Sequence, residues 1–233
     1  MDPHVLPQHD RSALITIDVQ RDTLDGQPFE VRGTSAVVPR IGHLVRSFRS
    51  KSRPVIHVVR LYKPDGSNVD LCRRCAVEGG AQLVLVGSAG SQLAIPLLSS
   101  ADLTLDAELL LAGDMQIAGT KEWIIYKPRW GAFFGTCLEE HLRALDVSTL
   151  VFAGCNFPNC PRTSIYEASE RDFRIVAIED AISGLSPQGR AELENIGVQV
   201  VDTESYLREA VNPQQLERTG VGPDQGIWLR RRS

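Results

Sequence analysis

No apolar run in this 233-residue chain approaches the roughly 20 consecutive residues that a membrane-crossing helix needs, so no spanning segment is expected. The first residues are polar, with Asp2, His4 and His9, and lack the apolar core of a secretion signal; a cytoplasmic location is the expectation. Positive charge is also scarce. Lys and Arg total 25 against 29 Asp and Glu, a formal net charge of −4, and Arg230–Arg232 form the one basic block. That balance argues against nucleic acid or an anionic membrane surface as a main partner. The five cysteines, at 72, 75, 137, 155 and 160, are odd in number, which favours free thiols over a disulfide framework. Histidine offers no cluster: His57 falls in an apolar strand pattern, and His43 and His141 fall on helices. Cys72 and Cys75 form a single C-x-x-C with no second pair, so a zinc site would lack half its ligands. No metal and no cofactor is expected.

What the chain does have is core material, 42% hydrophobic residues, enough for one large α/β domain. Strand and helix patterns alternate. Apolar β-runs fall at 13–17, 54–59, 122–126, 149–154, 174–178 and 198–201. Ile41, Leu44, Val45 and Phe48 recur at helical spacing. Thr136 followed by Glu139 reads as a capping box ahead of Leu138, Leu142 and Leu145. Another helix starts after Cys160, and Ser186-Pro187 opens a further one that Gly197 closes. Such alternation implies a three-layer α/β/α domain around a mostly parallel sheet of about six strands. Residues 61–100 read as loops and short elements. The core is expected over about 12–205, and 213–233 reads as a surface-packed or disordered tail.

Open parallel sheets bind ligands at the carboxyl ends of their strands. Asp18, Lys127 and Cys160 all fall at such ends. Cys160 is followed by Pro161, which favours the first helical position and so puts the cysteine at the N-cap. There the helix dipole and free N–H groups are expected to lower the thiol's pKa. A lysine beside it would stabilise a thiolate, and a carboxylate can take the proton and return it to a leaving amine. Taken singly, each residue also has a plain structural reading: a small buried thiol, a capping Asp, a surface Lys. Trp130, Phe133 and Arg162 lie close by in sequence as candidate substrate contacts, although aromatics there serve equally well as core and Arg162 as a salt-bridged helix residue.

Three blocks make the pattern specific: ALITIDVQ at 13–20, YKPRWGAFFGTCLEEHL at 126–142, and VFAGCNFPNCPRT through RIVAIEDA at 151–181. With them the chain resembles the isochorismatase-like cysteine hydrolase family, whose amidase members use an Asp–Lys–Cys triad. The resemblance implies Asp18 as general base, Lys127 as orienting cation and Cys160 as nucleophile. It further implies an oxyanion hole from the backbone N–H groups of Asn156 and Cys160, with a cis peptide at Cys155–Asn156. It implies a small-molecule substrate and a homo-oligomer, dimer or tetramer. Related nicotinamidases hold a metal through an Asp/His cluster after the second strand, but residues 60–70 here contain no histidine. The chain departs from the family pattern at Thr23, where phenylalanine is usual, at Gly131, where serine is common, and at Pro158 and Pro161, which stiffen the loop around the nucleophile. The expected activity is cleavage of a C–N bond (amide, carbamoyl or lactam-like) through a thioester. The alternatives are an isochorismatase-type vinyl-ether hydrolase, which needs no cysteine nucleophile, and a non-catalytic binding module.

Overall fold

The computed structural model describes residues 2–210, so the expected tail at 213–233 and the Arg230–Arg232 block lie outside the described residues. Each of the six apolar runs forms a strand: β1 (Ser12–Ile17), β2 (Val55–Val59), β4 (Glu122–Tyr126), β5 (Thr149–Gly154), β6 (Arg174–Ile182) and β7 (Gln199–Val201). A seventh strand, β3 (Gln116–Gly119), adds to one edge. The sheet order is β3-β4-β2-β1-β5-β6-β7, parallel throughout except for the antiparallel β3–β4 pair. β3 escaped the sequence reading because it has only four residues, and its single large apolar side chain, Ile117, faces outward.

Central strands buried on both faces read as continuous apolar runs, and period-two alternation then divides their side chains between two cores. Ala13, Ile15 and Ile17 of β1 face the core shared with α4 (Leu138–Ala144), α5 (Cys160–Ser169) and α6 (Pro187–Asn195). Leu14 faces the opposite core, where α1 (Thr34–Ser50) lays down Val38, Ile41, Leu44, Val45 and Phe48 beside Tyr206 of α7 (Thr203–Glu209). The expected three layers are therefore present. Helix α2 (Leu71–Glu78) buries no residue, and without an apolar stripe it left no periodic signal within 61–100. The short α3 (Ala107–Leu111) and α7 were also not legible.

Local signals held unevenly. Ser186 caps α6 by accepting from the Gly189 N–H, and Gly197, with φ at 82°, closes it. The capping box at 136–139 is absent. The Thr136 hydroxyl donates to the Ala132 carbonyl instead, and Glu139 pairs with Arg171. The N-cap of α5 is Asn159, so Cys160 is the first helical residue and Pro161 the second.

A closed charge network runs from the start of β4 across the middle of β2 to β1. Glu122, 1% exposed, accepts two hydrogen bonds from Arg49 at 2.7 and 2.6 Å and one from His57 Nε2 at 2.9 Å. The other His57 nitrogen lies 2.7 Å from the Thr16 hydroxyl. Burial alone would raise the Glu122 carboxyl, but the bonds from Arg49 and His57 outweigh it and hold the group down at about 2. A depressed folded-state pKa stabilises the fold above the ordinary value of 4.5, and that contribution fades as pH falls from there toward 2. Glu122→Gln, which leaves a buried guanidinium half-paired, is expected to cost about 3–5 kcal/mol in urea denaturation at pH 7. The gap from the wild type should shrink below about pH 4, because protonation removes the same charge from the parent.

Candidate active site

β1 stops where Asp18 turns into the left-handed region at φ 53°, a conformation that Asp tolerates better than most residues. Three donors hold the turn through the Asp18 carbonyl: the Gln20 N–H at 2.9 Å, the Thr23 hydroxyl at 3.1 Å and the Cys155 thiol at 3.0 Å. Thr23, the departure from the usual phenylalanine, thus becomes a strap on the loop bearing Asp18. Cys155 is a donor buried in this joint, its thiol pushed by burial to about 12. Opposite it, β5 ends at Gly154 with φ 132°, where an added Cβ would stand 2.2 Å from the Ile17 carbonyl oxygen. Only glycine lets β5 approach β1 this closely, and the following Cys155–Asn156 peptide is cis.

Lys127 follows β4, which lies two places from β1 in the sheet. Two strand spacings amount to roughly 9.5 Å, a gap that calls for a long side chain. The lysine stem runs across the end of β2, fully buried at 0% exposure. Its ammonium donates to Asp18 Oδ2 at 2.8 Å, to Cys160 Sγ at 3.2 Å and to the Arg129 carbonyl at 3.3 Å. The three side chains singled out from the sequence therefore meet. Among the described residues neither the Asn156 N–H nor the Cys160 N–H has a hydrogen-bond partner. Asp18 Oδ1 is likewise buried without one.

These groups border a cavity of about 120 Å³, lined among others by Asp18, Cys160, Asn156, Thr23, Arg60 and Arg73. Burial pushes the Cys160 thiol up to about 11, helped by the Asp18 carboxylate and opposed by Lys127. This reverses the lowered value expected from the helix start. Desolvation and an adjacent anion outweigh a helix end plus one cation. The resting site thus holds a thiol, and a thiolate becomes favourable once its proton moves onto Asp18, which removes the repelling charge and leaves Lys127 beside the sulfur.

The outlying candidates fare differently. Arg162 turns from the cavity, pairing with Glu192 at 2.6 Å and lying over Tyr166 and Phe157. Phe133 is core, packed on Phe173. Trp130 stacks on the Arg73 guanidinium at 4.7 Å instead of lining the cavity. Sequence reasoning missed Arg60, Arg73 and Phe29, which lie in stretches without periodicity. The second departure, Gly131, has a plain cause. A Cβ there would fall 2.1 Å from the Glu167 carboxylate, which accepts from the Phe133 N–H at 2.9 Å and pins the loop after Lys127 to α5.

Comparison with known proteins agrees with this architecture. The Isochorismatase domain matches residues 12–91 and 107–205. A probable inactive nicotinamidase of Arabidopsis thaliana is 29% identical over 204 residues, covering 85% of this chain and 95% of that protein. The ureidoacrylate amidohydrolase RutB of Methylobacterium radiotolerans is 28% identical over 204 residues, covering 78% of this chain and 72% of RutB. The crystal structure of an isochorismatase family protein from Desulfovibrio vulgaris superposes with a TM-score of 0.72 at 27% identity, covering 87% of this chain and 99% of that one.

Asp18→Asn should shift the Cys160 thiol down from about 11, because the neutral amide no longer repels the thiolate; ultraviolet absorbance of the thiolate across a pH titration reads the change. Gly131→Ala should cost about 1.5–3 kcal/mol by displacing Glu167 from its bond to the Phe133 N–H. In a Glu167→Ala background the same substitution should cost much less, so a double-mutant cycle by chemical denaturation should show coupling.

Proposed function

We propose that this chain, which belongs to the Isochorismatase family, hydrolyses a C–N bond of a small non-peptide amide or carbamoyl compound, with Cys160 as nucleophile. The observation that carries this reading is the contact of one buried ammonium with both a carboxylate, at 2.8 Å, and a thiol, at 3.2 Å, on the wall of a cavity. The name of the RutB relative, an amidohydrolase, supports the same bond class. The Arabidopsis relative bears a name that marks it as probable inactive, but in this chain the three groups stand within reach of one another.

In the reading we favour, Asp18 accepts the Cys160 proton and the thiolate attacks the substrate carbonyl carbon. The carbonyl π-pair moves onto oxygen, which the N–H groups of Asn156 and Cys160 are free to hold. One such donor lowers a barrier by about 2.7–4 kcal/mol. Asp18 then gives its proton to the departing nitrogen as the C–N bond breaks, leaving a thioester and a neutral amine or ammonia. Next, a water loses its proton to Asp18 and adds to the thioester carbonyl. The C–S bond breaks, the acid departs and the sulfur regains its proton. Lys127 stays charged throughout, balancing whichever of its two neighbours is anionic.

Cys160→Ala should lower ammonia release from a panel of small amides and carbamoyl compounds by at least about a thousandfold. Its melting temperature should stay near that of the parent. Release at the parental rate by the alanine variant would remove the nucleophile from the scheme.

A further inference from the structure

We propose that the substrate of this site carries a carboxylate remote from the scissile bond, and that Arg73 on α2 is the residue that selects it. This rests on the reading of Cys160 as nucleophile and adds the substrate class. Of the residues that line the cavity, Arg60 and Arg73 are positive and Asp18 is negative. Behind this lining Lys127 pairs with Asp18, and Asp70 pairs with Arg60 and Arg73. Asp70 is shared: its carboxylate accepts from Arg60 and Arg73, each at 3.3 Å, and from the Tyr62 hydroxyl at 2.7 Å. Asp22, the other buried carboxylate nearby, accepts from the Val84 N–H and packs against Gly90. Counted with Lys127, Arg60 and Arg73, these three carboxylates leave no net charge, and Asp70 meets only one nitrogen of Arg73.

Donors are left over. Arg60 is 2% exposed, and its Nε has no partner among the described residues although its two terminal nitrogens bond to the Pro128 and Arg129 carbonyls. Arg73 uses only Nη1, toward Tyr62 at 2.9 Å and Asp70. Its Nε and Nη2 make no bond among the described residues. Two aromatic rings, Phe29 and Trp130, pack on the guanidinium, each centroid 4.7 Å from its carbon. Packing on ring faces restrains the plane of the fork without using its N–H groups, and a planar fork with free donors suits a carboxylate's two oxygens. A short acid bearing an amide or carbamoyl group would bind with its carboxylate toward Arg73 and its amide carbonyl toward Cys160, both of which line the cavity.

Two alkylating reagents of equal size test this without a substrate. Iodoacetate and iodoacetamide differ only in charge, and both form an S–C bond while iodide leaves. The ratio of their rates at Cys160, read by mass spectrometry, is compared with the ratio at the same cysteine in urea-unfolded protein, where the carboxylate slows attack by a thiolate. In the native protein the ratio should exceed the unfolded one by about tenfold or more. Arg73→Met should return it to the unfolded value, and Arg73→Lys should retain part of it. Arg162→Met, whose parent guanidinium faces Glu192, should leave it unchanged. A melting temperature near the parent's, measured for each variant alongside the ratio, reports that the site has formed. Rapid labelling by iodoacetamide with no native preference for iodoacetate overturns the carboxylate proposal and leaves the nucleophile standing. A preference that survives Arg73→Met overturns the role of Arg73. Failure of both reagents at Cys160 overturns the hydrolase reading, and this proposal with it.

Discussion

The buried ammonium of Lys127 is the contact on which the carboxyl end of this sheet is organised. A lone ammonium in such a place would cost several kcal/mol of lost hydration, so its three acceptors are a condition of its being there. Those acceptors come from the end of β1, from the start of α5 and from the loop after β4. Meeting the lysine's needs therefore brings together three segments that are distant in the chain. The same requirement leaves a carboxylate oxygen without a partner and a thiol near it, which is the arrangement a proton transfer uses.

Two polar clusters divide the work. In the one that runs from the start of β4 across β2 to β1, Glu122, Arg49, His57 and Thr16 bond to one another. At the carboxyl end several groups stay unsatisfied: the N–H groups of Asn156 and Cys160, Asp18 Oδ1, Arg60 Nε and the outer edge of Arg73. Unmet hydrogen-bonding capacity costs stability, and a site that binds a ligand concentrates that cost where the ligand will relieve it. The loops around the cavity are held by side chain to backbone bonds rather than by ladders. Gln20 bridges to the Arg60 and Ser91 carbonyls, Asp22 holds Val84, and Glu167 holds Phe133.

This construction explains why the fold was more legible than the pocket. Every long apolar strand, and each helix with an apolar stripe, could be read from spacing within one segment. The misses are short or lack an apolar stripe: α2 buries nothing, β3 has four residues with its isoleucine facing outward, and α3 and α7 have five and seven residues. At the site, Asp18, Lys127 and Cys160 were visible because each ends a strand or begins a helix. Arg73 was not, since its role arises from two rings contributed by residues 29 and 130. Arg162, adjacent to the nucleophile in sequence, was drawn off by Glu192 on a different helix.

From residue order alone come the alternation of strands and helices, the triple-layered plan and the three reactive side chains at strand and helix ends. These follow from periodicity and chain breaks, which are local. Tertiary structure alone decided that the Cys160 thiol is held protonated, that Trp130 serves an arginine instead of lining the cavity, and that Arg73 reaches the cavity with two of its nitrogens unbonded among the described residues. Each of these depends on burial and on charges brought together from separate loops, and distance through space, unlike distance along the chain, is set only once the whole domain has closed.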